Sequence, residues 1–371
     1  MDLRRKLFSA AQKWPILRSM PVRSLNHLGH RDDVPPPLPD IGADEEGVPW
    51  FLPDDAAMSE SWSMPGPRAD GRLLLNPGDW RAAQGELAAE LAQVCLRFGM
   101  LDARIGAMTL EAGQGARQRL ALREVADLGW WTGDRIPQDR LALWLGLRAG
   151  MADEDAPALA RAGWAARRLA GGPPPAAGGW RAGSAAFLGR ARDGSGEDLA
   201  EVMDAAVGLH PVTEAALLFH AWRIAGQGPA TGLEAAVMAA RHAGLIGREQ
   251  ALFLPLSMAG VSGLTTTGST ERRLAAWLAG AEQATLSALA QLDRIAAWER
   301  QAQVVLADLS GRTPGALVRI FAAWPAVSAQ LAEAGTGASR AAIQRNLDIF
   351  AARGLIREIT GQGRYRFWVA R

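Results

Sequence analysis

The period of the apolar pattern changes near the C-terminus, and that change constrains the fold more than any other feature of the 371-residue chain. From Gly315 to Trp324, Leu317, Ile320, Phe321 and Trp324 recur with the spacing of one buried helical face. Pro325 disfavours helix at the residue before it, so a first helix should stop there. A short second helix is expected over Val327 to Ala334, ending in the turn Gly335-Thr336-Gly337. Ser339 is then a good N-cap for a third helix, with Ile343, Leu347 and Phe350 on its buried side and Gly354 at its C-terminal stop. Past Gly354 the period becomes that of strands. Leu355 to Ile359 and Arg364 to Val369 flank the loop Thr360-Gly361-Gln362-Gly363. Three helices and a hairpin, over residues 313–371, predict a winged helix-turn-helix.

The run from Leu355 to Trp368, with the helix before it, resembles the C-terminal DNA-binding helix-turn-helix of an uncharacterised bacterial family typical of rhizobial plasmids. Members of that family pair the motif with a helical domain of unknown function. A fainter similarity in the order of elements extends over residues 85–169 and 271–309. The same C-terminal run is similar to the winged helix appended to Fic-domain proteins. Those enzymes need a His-Pro-Phe motif leading into a Gly-Asn-Gly-Arg phosphate loop. Here the His-Pro pair is His210-Pro211, followed by Val212-Thr213-Glu214, so the catalytic half of that pattern is missing. The resemblance implies binding of double-stranded DNA and no reaction.

The charge distribution supports a nucleic-acid partner. Although the net charge is only +1, residues 1–31 balance to +6, residues 313–371 to +5 and the intervening body to −10. Positive charge gathered on such a motif is the expected footprint of a polyanion binder. On the third helix, Ala341, Arg345 and Asp348 fall opposite the apolar stripe, with Gln344 beside them. The candidate DNA contacts are Ser339, Arg340, Gln344 and Arg345 on that helix, with Arg364 and Arg366 on the wing. Asp348 departs from an ideal contact surface, because it repels phosphate unless it meets a cytosine amine. The alternative function is a non-enzymatic docking or assembly module built on the same motif.

Residues 1–76 read as a basic tail followed by an extended linker rich in proline (Pro35, Pro36, Pro37, Pro39, Pro49, Pro53). Lys13 and Pro15 interrupt any secretory apolar core. From residue 77 to 260 the pattern is helical, which gives a mainly α fold class: a multi-helix body with the C-terminal unit as its one β-containing part. Expected helices begin at Pro77, continuing through Leu101, then cover Gln114 to Trp131, Gln138 to Arg148, Ala156 to Leu169, Ser195 to Val207, Pro211 to Ala225, Gly232 to Ala243 and Arg248 to Met258. Residues 171–179, rich in Gly and Pro, form the strongest break. Glu271 to Leu309 reads as one connector helix of about 58 Å. Its stripe from Leu274 to Trp298, interrupted by Thr285, suits either a homodimer seam or packing on the chain's own body.

Chemistry is sparsely signalled. With one cysteine, Cys95, there is no intrachain disulfide and no multi-cysteine metal site, which suits a reducing cytoplasm. No metal or cofactor site is expected: His210 and His220, with Glu214, lack the i, i+4 alignment of helical zinc ligands. Gly113-Gln114-Gly115 lacks the preceding strand and the lysine of a phosphate loop, and Asp153-Glu154-Asp155 reads as a helix cap. No apolar run is long enough for a membrane span. Most of the 14 tryptophans lie on apolar helix faces; Trp130-Trp131 is the exception and marks a contact surface. An enzyme is not expected.

Overall fold

The computed structural model describes residues 74–147, 155–190, 195–226, 228, 230–248, 250–360 and 366–371. The basic tail, nearly all of the linker, and Arg364 lie outside these residues. The described chain is mainly helical, with a small three-stranded antiparallel sheet at its C-terminal end.

The body begins with α1 (Pro77–Glu86), opened by Asn76, whose side chain accepts from Gly78 N at 3.0 Å. One continuous helix was expected here, but the chain bends at Leu87 and restarts as α2 (Ala88–Gly106). The bend lets Trp80 point one way into the core, its Nε1 donating to Leu74 O at 2.9 Å, while Val94, Phe98, Leu101 and Ile105 line α2's buried face. Next comes α3 (Leu110–Thr132), capped by Thr109 and closed by Gly133 at φ 92°. It is the central helix, buried on most of its circumference and packed against α4 (Gln138–Leu147), α5 (Ala156–Ala170) and others.

After the Gly/Pro-rich break comes α6 (Trp180–Leu188), a nine-residue helix that the sequence pattern did not suggest. Its opening residues carry small side chains, and Gly183 fits where a Cβ would lie 2.4 Å from Pro175 O. The body continues with α7 (Ser195–Ala205), α8 (Pro211–Ala225) and α9 (Thr231–Ala243). The helix expected over Arg248 to Met258 does not form. Two carboxylates from other helices hold that stretch irregular instead. Asp102 accepts from the backbone N–H groups of Arg248, Gln250 and Ala251 at 2.8–2.9 Å. Glu124, fully buried, accepts from Leu256 N and Ser257 N at 2.9 and 3.0 Å. Both take backbone donors that a helix would have used itself.

A single turn, α10 (Ser262–Thr265), precedes the longest element, α11 (Thr270–Val305), whose 36 residues start at the cap Ser269. The helix ends four residues before the expected Leu309. The stripe expected for it is buried inside the chain: Leu274, Trp277, Leu278, Ala281, Ala288 and Leu292 join the body core beside α1 and α2. A homodimer seam through those residues would have to displace this packing. Thr285 interrupts the stripe harmlessly, because its hydroxyl donates to Ala281 O at 2.7 Å. Beyond Leu292 the same helix contributes Trp298, Ala302 and Leu306 to a second apolar core.

That second core belongs to the C-terminal region: α12 (Arg312–Ala323), β1 (Val327–Ser328), α13 (Ala329–Thr336), α14 (Arg340–Ala352), β2 (Ile356–Glu358) and β3 (Phe367–Ala370). The sheet order is β1-β3-β2, with Val327 opposite Trp368 and Glu358 opposite Trp368 on the other edge. Two residues expected to start the second helix are therefore the third strand. Trp324 is extended at φ −114°, as its position before Pro325 requires, and this sends Val327 alongside β3. No described helix is long and apolar enough to cross a membrane.

Candidate nucleic-acid interface

The C-terminal region is built so that one face of α14 is left outward. Leu317, Phe321, Ile343, Leu347, Phe350 and Trp368 are all buried in its core. Gly335 allows α13 to approach α12, since a Cβ there would sit 2.7 Å from Ile320 Cδ1. Ser328 caps α13 by accepting from Leu331 N at 3.0 Å, and Gly337 ends it at φ 67°. Ser339 then caps α14, accepting from Ala342 N at 3.4 Å. With the stripe Ile343–Leu347–Phe350 buried, helical geometry leaves residues 340, 341, 345 and 348 outside, and all four are exposed.

The six expected contact residues fare differently. Ser339, Arg340 and Arg345 are exposed, and Arg345 makes no ion pair among the described residues. Arg340 Nε lies 3.8 Å from Glu333 Oε1, an ion pair too long for a hydrogen bond. Gln344 is half-buried, and its Nε2 donates to Asp348 Oδ1 at 2.9 Å. Arg366 is committed within the chain: its Nε donates to Glu358 Oε2 at 2.6 Å, and its guanidinium lies 5.0 Å from the centre of the Trp368 ring. That pairing with Glu358, helped by the nearby charge of Asp348, holds Arg366 above its ordinary pKa. Arg364 lies outside the described residues.

Sequence counting overstated the free positive charge here. Arg353 forks onto Asp308, with Nη2 to Oδ2 at 2.7 Å, and Arg319 stands 3.8 Å from Glu111. Among the described arginines of residues 313–371, Arg345, Arg357 and Arg371 are exposed without an ion pair.

A residue that the sequence did not single out fixes this region to the body. Arg119 of α3 is 7% exposed, and its guanidinium donates to Ala322 O at 2.6 Å, Phe321 O at 2.5 Å and Trp324 O at 2.7 Å. These are the C-terminal carbonyls of α12, which a helix cannot satisfy internally. Burial pushes Arg119 down to about 10, opposed by the charge of Glu299, so it stays cationic at neutral pH. One turn earlier, Gly115 faces Ala323, whose Cβ would be 2.7 Å from any Cβ placed on the glycine. The Gly113-Gln114-Gly115 run thus lies inside a helix and serves close packing. A lone arginine among Leu120, Ala121 and Leu122 was the available signal for Arg119.

The residues weighed for chemistry are dispersed. His220 is buried beside Trp80 and Phe219, and burial with two nearby arginines pushes it down to about 3. His242 Nε2 lies 2.9 Å from Glu214 Oε2, without forming a hydrogen bond, and its ring centre is 4.9 Å from that of Trp180. His210 Nε2 lies 3.6 Å from Cys95 Sγ. Its other nitrogen, Nδ1, accepts from Val212 N, so the neutral ring carries its proton on Nε2 and cannot take one from the thiol. Burial also raises Cys95 and lowers His210, which favours the neutral pair over thiolate and imidazolium. Among the described residues no group of three or more His, Cys, Asp or Glu side chains is placed to hold a metal. Trp130 is 61% exposed with the Arg135 guanidinium over its ring; with Trp131, Arg123 and Asp127 it borders an open cleft of about 400 Å³. Asp155 makes no helix cap; it pairs with Arg140.

Compared with known proteins, the chain matches no family model and no curated protein.

Proposed function

We propose that residues 313–371 form a winged helix that binds double-stranded DNA, with α14 in the major groove and the β2–β3 hairpin beside it. The observation that carries this reading is the outward face of α14. Ser339, Arg340 and Arg345 are exposed at the N-terminal half of a helix whose opposite side is locked into a core. A helix of that diameter fits the major groove, where arginine and glutamine can bond base edges or phosphates. The resemblance to DNA-binding helix-turn-helix domains on rhizobial plasmids agrees with it, and a regulator of transcription or a plasmid-borne DNA-binding factor is the role that follows. Replacing both Arg345 and Arg364 with alanine should abolish a gel shift of the full chain at moderate salt while far-UV circular dichroism stays unchanged. Duplex binding that survives the double change contradicts this docking.

A second reading has its own support. Arg366 and Arg353 are spent on Glu358 and Asp308 rather than left for phosphate, which weakens the local field. A protein-docking module built on the same fold would tolerate that. It predicts binding to a protein partner that barely responds to salt, the opposite of duplex binding.

A further inference from the structure

On the exposed face of α14, the side chains of Gln344 and Asp348 are already joined. Gln344 Nε2 donates to Asp348 Oδ1 at 2.9 Å across one helical turn. A carboxylate can only accept, so this bond settles which way the amide faces: NH2 toward Asp348, Oε1 away from it. One N–H and the Oε1 of Gln344 then remain for a ligand. An acceptor beside a donor complements the N6 amine and N7 of adenine in the major groove. Guanine presents two acceptors at that edge and rejects the pattern.

Asp348 is itself restrained from the opposite side. Arg366, on the residue before β3, feels the Asp348 charge while its guanidinium is bonded to Glu358 of β2 and lies over Trp368 of β3. Glu358, Arg366, Asp348 and Gln344 thus form a chain of polar contacts and charge interactions from the sheet to the groove-facing helix. Such support holds a contact residue in its productive orientation before binding and lowers the entropy lost on binding. It also accounts for two features that otherwise argue against a DNA surface: an acid on the contact face, and an arginine near the hairpin spent inside the protein.

Resting on the DNA-binding reading above, we infer that Gln344 reads an adenine, and that Asp348 is a positioning residue that aims the Gln344 amide at it. The test is selection of bound sites from a randomised duplex pool by the full-length wild type, followed by titration of Q344A, D348A and D348N against the selected site and its single-base variants. Wild type should select adenine at one position. Q344A and D348A should both lose that preference, by roughly 5- to 150-fold, whereas D348N, whose Oδ1 still accepts from Gln344, should keep it. An adenine preference that persists in D348A overturns the inference. So does a D348N variant that changes the preferred base, since Asp348 would then be reading the base itself. If wild type binds duplex with no adenine preference that depends on Gln344, this inference fails and the DNA-binding reading stands. If it binds no duplex, both fail.

Discussion

The helical body and the C-terminal region treat their ionisable groups in opposite ways. Among the described residues the body buries Asp102, Glu124, Arg119, Arg241, His220 and His242, whereas the region from α12 onward buries only Ser328 among polar side chains. In the body, buried ions organise backbone that has no regular partner of its own: Asp102 and Glu124 hold the 248–258 stretch, and Arg119 gathers three carbonyls. In the C-terminal region the core is apolar, and the charges sit on its surface in pairs or open to solvent. The body's stability should therefore respond to truncation and pH. The C-terminal surface should respond to salt.

The sharpest way to break this contrast is Arg119→Ala. It strands the carbonyls of Phe321, Ala322 and Trp324 in a buried space, at a cost of about 3–5 kcal/mol. Amide exchange should show α12 and β1 losing protection before the body does. Uniform loss across both cores would mean that Arg119 is not the joint between them.

Glu124→Gln tests the same contrast through pH. Burial holds the Glu124 carboxyl up at about 7, above its ordinary value of about 4.5, so the folded protein binds a proton more tightly there than the unfolded chain does. Stability contributed by that proton is fully present below about pH 4.5 and is lost as the pH rises toward 7. The glutamine keeps an acceptor for Leu256 N and Ser257 N without the charge. Denaturant unfolding should show the variant gaining on wild type across that window, by on the order of 3 kcal/mol at pH 8. A difference independent of pH would show that Glu124 does not titrate in the fold.

Gly115→Leu should cost less, about 1–3 kcal/mol, because the Ala323 side of α12 must move to admit the new side chain. Thermal unfolding checks it, and an unchanged Tm would argue that the α3–α12 contact is loose. Smallest of all is Arg353→Ala. Its pair with Asp308 is fully exposed, so Tm should not change measurably; a clear fall would blur the distinction between buried and surface charges.

How much of this was legible in the sequence depended on whether the cause was local. Pro211–Ala225 is a helix at both expected ends because Pro211 supplies its start and the apolar run its length. The stop before Pro325 and the turns at Gly337 and Gly354 rest on similarly local preferences, and they are where the sequence placed them. The 248–258 stretch was misread because its helix-like spacing is outcompeted by Asp102 and Glu124, which arrive from well over a hundred residues away. The strand at Val327–Ser328 is too short to have a period and exists only because β3 lies beside it. At the candidate interface the exposed residues followed from helical phase alone. Pairing did not: nothing in the composition says that Arg366 belongs to Glu358, or that Gln344 is held by Asp348.

The central claim is that the outward face of α14 meets a nucleic-acid duplex, and the salt dependence of full-chain binding to duplex DNA tests it most directly. The account predicts that the logarithm of the binding constant falls linearly with the logarithm of salt concentration. Each phosphate neutralised contributes a slope of about −0.9, so Arg345→Ala should make the line shallower by roughly that amount if Arg345 neutralises a phosphate. Binding that is flat in salt, or a slope that Arg345→Ala and Arg364→Ala together leave unchanged, would contradict it.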